Sequence, residues 1–203
     1  MTLEQRPVEH GANRPEVAPP EGFRWVGEGL NCVDSEPYVA ILEERFGIPR
    51  AHFDDLLVFK PNRAWLSIVR RDLLVPTMPK AAGVGMPFFY PDLVHPRPTT
   101  STTIRFGVYA KKNILDLDRL SPADDPTAAI QDFVHRRPIV LDAKARAHLE
   151  SPGYVIVRHL GLVAGLAHCK VVDDEWRLTG MAPKTWDTLA RVGDRRPTRA
   201  EPL

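Results

Sequence analysis

The sequence predicts an α+β protein, with an α/β unit in its N-terminal half and a small β-barrel at its C-terminal end. Three patterns support this fold class: a helical arrangement of apolar residues, two apolar runs joined by a short turn, and three extended segments close together near the C-terminus. The chain has 203 residues, of which 43% are hydrophobic, which is enough to build a core. We expect folded structure between a disordered leader (residues 1–21) and a flexible tail (residues 193–203).

A helix is predicted over residues 35–47. Ser35 is placed to cap its first turn, and Gly47 followed by Pro49 supplies the stop. The apolar residues that fall on its inner face are Tyr38, Ile41, Leu42 and Phe46. This spacing is typical of a helix that packs on one side.

Two apolar runs, residues 56–59 and 64–69, follow the helix and predict a β-hairpin. The turn between them reads Lys60-Pro61-Asn62-Arg63. Together the helix and the hairpin predict an N-terminal α+β unit, which we expect to extend with a long connection over residues 22–98.

The centre of the chain is predicted to contain little regular structure. Residues 77–98 are rich in proline and glycine, so we expect a long ordered connection there instead of a strand or a helix. Its aromatic cluster at residues 88–90 is expected to fill the seam between the two units. Residues 99–109 contain threonines and other β-branched side chains, which favour extended structure.

The last part of the chain, residues 99–192, is predicted to form the barrel domain. Helices are expected around residues 126–135 and 142–149, on either side of a strand at residues 139–141. A turn at Gly161 and a break at Gly165 separate or bend the strands that follow. These strands are expected at residues 154–157, 162–172 and 176–181. Short strands with glycines at the bends predict a small closed or half-closed barrel.

Charge and cysteine content exclude several classes of protein. The chain contains 27 basic and 26 acidic residues, so any signal for nucleic-acid binding must be local. Cys32 and Cys169 form no CxxC pair, and we expect ordinary buried thiols without a zinc site or a redox role. No apolar run is long enough to span a bilayer, and the N-terminus lacks the pattern of a signal peptide. We expect a cytoplasmic protein with no membrane association, no metal and no cofactor.

Three separated blocks of the sequence resemble one known family. The C-terminal block reads Gly153-Tyr154-Val155-Ile156-Val157, then Gly161-Leu162, Gly165-Leu166, Arg177-Leu178 and Pro183-Lys184. It resembles the PUA-like RNA-binding region that ends the Sun/RsmF family of RNA cytosine methyltransferases. Residues 42–66 and 98–113 are similar to upstream segments of the same group. The resemblance covers residues 22–186 and implies a stand-alone RNA-binding relative with a PUA-like domain.

The catalytic half of that family is not expected in this chain. In the family it is a Rossmann-like domain with a glycine-rich S-adenosylmethionine loop and two motif cysteines. Neither Cys32 nor Cys169 has the sequence context of those cysteines, and Gly83-Val84-Gly85 opens no predicted helix. We therefore expect no methyl transfer and no catalytic residues.

RNA affinity comes largely from cationic side chains that face phosphates, with stacking on aromatic rings as a further contribution. Basic residues outnumber acids over residues 58–80 and 96–112, whereas acids concentrate at residues 116–125. The residues predicted to contact RNA are Lys111, Lys112, Lys184, Arg105, Lys170, Arg177, Trp186, Arg70 and Arg71. Trp186 can instead belong to the core. The acidic turn at residues 173–175 would repel phosphate beside this path.

Two other functions are alternatives to RNA binding. PUA-related barrels of the ASCH group include enzymes, and Cys169 has His159 and His168 nearby in sequence, although His168 would point away from Cys169 on a strand. The aromatic cluster at residues 88–90 could instead hold a protein partner in an RNA-processing complex. The favoured prediction is a monomeric, non-catalytic protein that binds rRNA or tRNA in ribosome biogenesis or RNA modification. Its other expected partner is a separate methyltransferase or a ribosomal particle.

Overall fold

The chain folds into two compact units, one ending at Lys111 and the other beginning at Lys112. A computed structural model describes residues 18–78 and 83–186, with 25% of the chain in helices and 32% in strands. The α+β fold class is therefore confirmed. Residues 99–111 belong to the first unit, whereas the sequence analysis placed them in the barrel domain. The predicted leader lies mostly, and the predicted tail entirely, outside the described residues.

Among its described residues, the first unit contains two antiparallel sheets and two α-helices. Its elements are, in chain order, β1 (Phe23–Trp25), α1 (Glu36–Phe46), a 3₁₀ helix (Arg50–Phe53), β2 (Leu56–Phe59), β3 (Leu66–Arg70), β4 (Leu74–Pro76), β5 (Met86–Tyr90), β6 (Arg97–Pro98), α2 (Thr100–Phe106) and a second 3₁₀ helix (Gly107–Tyr109). The larger sheet has the strand order β2-β3-β5-β6, and β1 pairs with β4 in a separate sheet. The sheets are thus built from short strands that are near neighbours in sequence.

Helix α1 lies where its sequence pattern predicts. The side chains buried on its inner face are Val39, Leu42 and Phe46, whereas Tyr38 and Ile41, predicted for the same face, are half-buried. Gly47 has a φ of 65°, and its N–H donates to the carbonyl of Glu43, which is the left-handed helix end that glycine favours. The predicted side-chain cap by Ser35 is wrong because that side chain makes no capping bond. Asp34 Oδ1 instead accepts from the N–H of Glu36 at 3.0 Å, so the neighbouring acid satisfies the first turn.

The hairpin predicted from the two apolar runs is confirmed as β2 and β3, with Leu57 opposite Val69. The side chain of Asn62 stabilises the turn, since its Oδ1 accepts from the N–H groups of Ala64 and Trp65. Asparagine commonly forms such bonds to the backbone that follows it. The turn residues therefore determine the register of this hairpin locally.

Residues 77–98 contain strands β5 and β6, so the predicted connection without strands is wrong. Strand β5 pairs with β3 through a shift in register. Just before β5, Gly85 has a φ of 82°, and an added Cβ would lie 2.4 Å from the carbonyl oxygen of Ile68. Gly85 thus allows the backbone that precedes β5 to approach β3 closely, although the sequence predicts a loop residue at this position.

The aromatic residues of β5 belong to the core of the first unit. Phe88 and Phe89 are fully buried. The ring of Phe88 lies 6.2 Å from that of Phe53, and the ring of Phe89 lies 5.3 Å from that of Tyr38. Phe88 and Phe89 are therefore not available to a protein partner, and the alternative based on residues 88–90 loses most of its support.

Helix α2 occupies most of the segment for which extended structure was predicted, so that prediction is wrong. Thr99 caps the helix, because its Oγ1 accepts from the N–H of Thr102 at 3.2 Å. The hydroxyl of Thr99 donates to the carbonyl of Pro87 at 2.7 Å, and that of Thr102 donates to the carbonyl of Phe88 at 2.8 Å. These bonds to β5 stabilise the helix despite the usual preference of threonine for strands.

Within its described residues, the second unit contains one five-stranded sheet, two short helices and a helical segment at residues 184–186. Its elements are β7 (Ile114–Asp116), a 3₁₀ helix (Leu117–Arg119), α3 (Ala128–Val134), β8 (Ile139–Leu141), α4 (Ala143–Arg146), β9 (Gly153–His159), β10 (Leu162–Val172) and β11 (Glu175–Gly180). The strand order is β7-β9-β10-β11-β8, with β7 parallel to β9 and the other pairs antiparallel. The four strands predicted here are confirmed, as is the break at Gly165, where the register shifts. The second helix is shorter than predicted.

The core of the second unit lies on the side of the sheet that faces α3. Phe133 of α3 is fully buried. An added Cβ on Gly180 would lie 2.1 Å from the carbonyl oxygen of Phe133, and one on Gly165 would lie 3.2 Å from its ring. The sheet residues in this core include Val155, Val157, Ala167, Cys169 and Leu178. Two glycines therefore let α3 approach the sheet closely.

The sheet of the second unit is curled like half a barrel. Strands β7 and β8 are its two edges, and no pairing joins them among the described residues. The predicted half-closed form agrees with this curl, whereas the finer assignment to a PUA-like barrel stays a prediction. In the part of the chain that the structure describes, no helix has both the length and the apolar character needed to cross a membrane.

Candidate nucleic-acid interface

The predicted RNA contacts differ in whether their charges are already paired. Three cations form ion pairs: Lys112 with Glu150 at 3.4 Å, Arg70 with Asp72 at 2.5 Å and Arg177 with Glu175 at 2.9 Å. Four have no ion pair with any described residue: Arg105, Lys111, Lys170 and Lys184. All four are exposed. These four are therefore the cations most available to a phosphate.

Arg71 and Trp186 are both half-buried. Trp186 packs against the core of the second unit, so the alternative role in the core agrees with its position. Burial raises the pKa of the Cys32 thiol above its ordinary value, and the charge of Arg71 partly opposes this rise. The packing of Trp186 gives that side chain a structural role.

Strand register groups two of the predicted cations on one face of the second unit. Lys170 lies directly opposite Arg177, and Arg177 lies directly opposite Val140. Directly opposite residues of an antiparallel pair share a face. Their strand neighbours Cys169 and Leu178 belong to the core, so this face points away from the core. Val140 is 57% exposed. We call Lys170, Arg177 and Val140 the basic row.

Aromatic side chains form the neighbouring row on the same face. Tyr154 lies opposite His168, and their ring centroids are 5.1 Å apart at an interplanar angle of 70°. Thr179 completes the row opposite His168. Ile156 and Leu166 share the face further along but are buried. The accessible part of this face is therefore the end that carries the basic row and the ring pair.

The acidic turn predicted to repel phosphate lies at the tip of the β10–β11 hairpin. Asp173 and Asp174 have φ values of 53° and 64°, a turn conformation that aspartate tolerates better than most residues. Asp173 lies beyond Lys170 by about 10 Å along the strand. Because the Debye length is about 8 Å at physiological salt, much of its repulsion at the basic row is screened.

The first unit presents two more of the unpaired cations close to an aromatic pair. Arg105 is in the last turn of α2, and Lys111 follows the second 3₁₀ helix. Between them Tyr109 stacks on His52, with ring centroids 3.7 Å apart and an interplanar angle of 20°. The sequence analysis missed this pair because it predicted extended structure there. A helical reading would have shown that Arg105 and Tyr109 are four positions apart, on one side of a helix.

The residues considered for catalysis are not brought together. Cys169 is buried in the core, and His168 lies on the opposite face of the sheet, as the alternation along a strand predicts. His159 Nδ1 lies 2.7 Å from Asp118 Oδ1, and the same carboxylate accepts from the N–H of Leu160 at 2.8 Å. Asp118 and His159 therefore stabilise the turn between β9 and β10.

A small pocket lies beside β7 and α4 in the second unit. Its polar lining is Asp116, Arg119, Asp142, Lys144 and His148. Asp142 caps α4 by accepting from the N–H of Ala145 at 2.7 Å, and Asp116 pairs with Arg119 at 3.5 Å. Both carboxylates are thus engaged in structural contacts. Within residues 18–78 and 83–186, no His, Cys, Asp and Glu side chains are grouped in a way that could hold a metal ion.

Comparison with known proteins identifies no relative of this chain. No family model, no curated protein and no solved structure matches it. The resemblance to the Sun/RsmF C-terminal region therefore stays a prediction from the sequence. The function is therefore inferred from the geometry of the basic row and of the His52–Tyr109 ring pair.

Proposed function

We propose that this chain is a non-catalytic RNA-binding protein that holds structured RNA on the basic row of its second unit. The observation that carries the proposal is the position of Lys170 directly opposite Arg177, beside the row that contains the Tyr154–His168 ring pair. Cations contact phosphates without regard to sequence, and aromatic rings on a sheet stack on unpaired bases. Both kinds of group are present at the accessible end of one sheet face.

The existing ion pair of Arg177 does not prevent a phosphate contact. The side chains of Arg177 and Glu175 are 39% and 50% exposed, and exposed pairs stabilise proteins by only about 0–1 kcal/mol. A phosphate offers the guanidinium a bidentate partner of the same charge as the carboxylate. Replacement of Glu175 by a phosphate as the partner of Arg177 therefore costs little free energy. Lys170 forms no ion pair with the described residues, so it has no such partner to lose.

The sequence supports the same function independently. Residues 153–184 resemble a PUA-like RNA-binding domain, and the half-barrel curl of the sheet is compatible with that class. We extend the proposal to rRNA or tRNA as the ligand, in ribosome biogenesis or RNA modification, beside a separate methyltransferase or a ribosomal particle. The protein acts in the cytoplasm as a monomer and needs no cofactor in this proposal.

Loss of the two charges of the basic row should weaken RNA binding. We expect Lys170→Gln combined with Arg177→Gln to lower the affinity for a fluorescein-labelled RNA hairpin at low salt by at least about tenfold, because charge-assisted bonds contribute about 1.5–3 kcal/mol each. Fluorescence anisotropy measures this affinity directly. The slope of log affinity against log salt should also fall in magnitude by about 2.

A matched control removes the same charge from the same unit. Arg119 and Arg137 pair with Asp116 and Asp132, and neither belongs to the basic row. Replacing both with glutamine should change RNA affinity much less than the basic-row double variant. Equal losses in the two variants would mean that net charge alone determines binding, and the proposed location would be wrong.

A further inference from the structure

The first unit exposes a pair of stacked rings that its core does not require. The rings of His52 and Tyr109 lie almost parallel, at 20°, with centroids 3.7 Å apart. Tyr109 is 40% exposed, so a large part of the ring pair is open to solvent. Stacked and exposed rings offer a flat surface of the kind on which nucleobases stack.

Packing beneath the rings holds them in place. Phe53 follows His52, and its ring lies 4.7 Å from that of Phe106 in α2. Both phenylalanines are buried. On the other side of Tyr109, the N–H of Lys111 donates to the carbonyl of Phe46 at 2.8 Å. The ring pair is therefore formed before any ligand binds, which lowers the entropy cost of binding.

Two of the unpaired cations lie within four positions of Tyr109 in the sequence. Arg105 and Lys111 are exposed and form no ion pair with the described residues, and no acid occurs over residues 93–115. The nearest acids in sequence to His52 are Asp54 and Asp55. Two cations beside stacked rings favour a polyanion that carries bases.

We propose that the His52–Tyr109 pair is a stacking platform for one unpaired base of an RNA that contacts the first unit, with Arg105 and Lys111 contacting the phosphates that flank it. This inference rests on the proposed function and narrows its ligand. The RNA must contain a bulged, looped or terminal base, since a base inside a helix is already stacked on its neighbours.

The test compares two blunt-ended RNA duplexes of the same length, one fully paired and one with a single bulged 2-aminopurine, because the loop of a hairpin would itself present unpaired bases. The unmodified protein should quench 2-aminopurine fluorescence, because the probe stacks on an aromatic ring. Tyr109→Ala should remove most of the quenching and weaken binding of the bulged duplex by about tenfold, with little change for the paired duplex. Tyr109→Phe keeps the ring and should behave like the unmodified protein.

Val108→Ala is the matched control, because Val108 is 57% exposed and adjoins Tyr109. An equal loss with Val108→Ala would indicate an apolar contact and overturn the stacking proposal. Normal RNA binding and normal quenching by the Tyr109→Ala variant would also overturn the stacking proposal. That result would leave the proposed binding of RNA by the basic row unaffected. Failure of both duplexes to bind the unmodified protein would overturn the proposed function itself. His52→Ala is a second variant that disrupts the ring pair. Thermal unfolding of each variant, followed by circular dichroism, establishes that the fold is retained.

Discussion

Replacement of Gly180 by alanine should destabilise the second unit by about 3 kcal/mol or more. The added Cβ would lie 2.1 Å from the carbonyl oxygen of Phe133 and 2.8 Å from its ring. Because the first of these contacts involves backbone, α3 would have to move away from the sheet, and interiors packed as densely as this one resist such a movement. Urea unfolding followed by tryptophan fluorescence measures the loss.

Gly161→Ala is the comparison for this variant in the same unit. Gly161 has a φ of 76°, and nothing lies within 4 Å of an added Cβ. Its cost comes from the backbone conformation alone, at about 1–2 kcal/mol. If Gly180→Ala were no more destabilising than Gly161→Ala, the close approach of α3 and β11 would be wrong.

Neutralising the four unpaired cations together should have the largest effect on RNA binding. These are Arg105, Lys111, Lys170 and Lys184. Replacing all four with glutamine should reduce the magnitude of the salt slope by about 3, because each phosphate contact accounts for about 0.7–0.9 of that slope. Affinity at low salt should fall by at least about a hundredfold. Anisotropy titrations at several salt concentrations measure both quantities.

A second quadruple variant removes the same charge from paired positions. The cations chosen for it are Arg50, Arg70, Arg119 and Arg137, each of which forms an ion pair with a nearby acid. We expect this variant to retain most of the affinity and most of the salt dependence. Similar losses in the two quadruple variants would show that RNA does not distinguish paired from unpaired cations on this protein.

The elements that could be predicted from the sequence are those determined by nearby residues. Helix α1 ends at Gly47 because of a local left-handed turn, and the β2–β3 hairpin depends on Asn62 within its own turn. Strands β8 to β11 also follow their apolar patterns closely. In each case the signal and the structure lie within a few positions of each other.

The elements that could not be predicted depend on partners distant in sequence. Thr99 and Thr102 form a helix because their hydroxyls reach the carbonyls of Pro87 and Phe88. Gly85 precedes a strand because the backbone at Ile68 approaches it. The conformational propensities of threonine and glycine do not reveal these distant partners. Tertiary contacts therefore override local propensity both in α2 and at Gly85.

The candidate site was partly predictable for the same reason. Basic side chains are visible in the sequence, but whether they are paired is not, as Lys112 and its distant partner Glu150 show. The position of Lys170 opposite Arg177 follows from the predicted hairpin once its register is known. The stack of His52 on Tyr109 joins two distant segments, and it requires the three-dimensional structure.

The central claim is that exposed cations of this chain bind the phosphates of structured RNA. Its most direct test is the affinity of the unmodified protein for a structured RNA hairpin, measured by anisotropy from about 50 to 200 mM salt. We predict a linear fall of log affinity with log salt, with a slope of about −4 for the five cations proposed to contact phosphate. No detectable binding at the lowest salt, or an affinity that does not change with salt, would contradict the account.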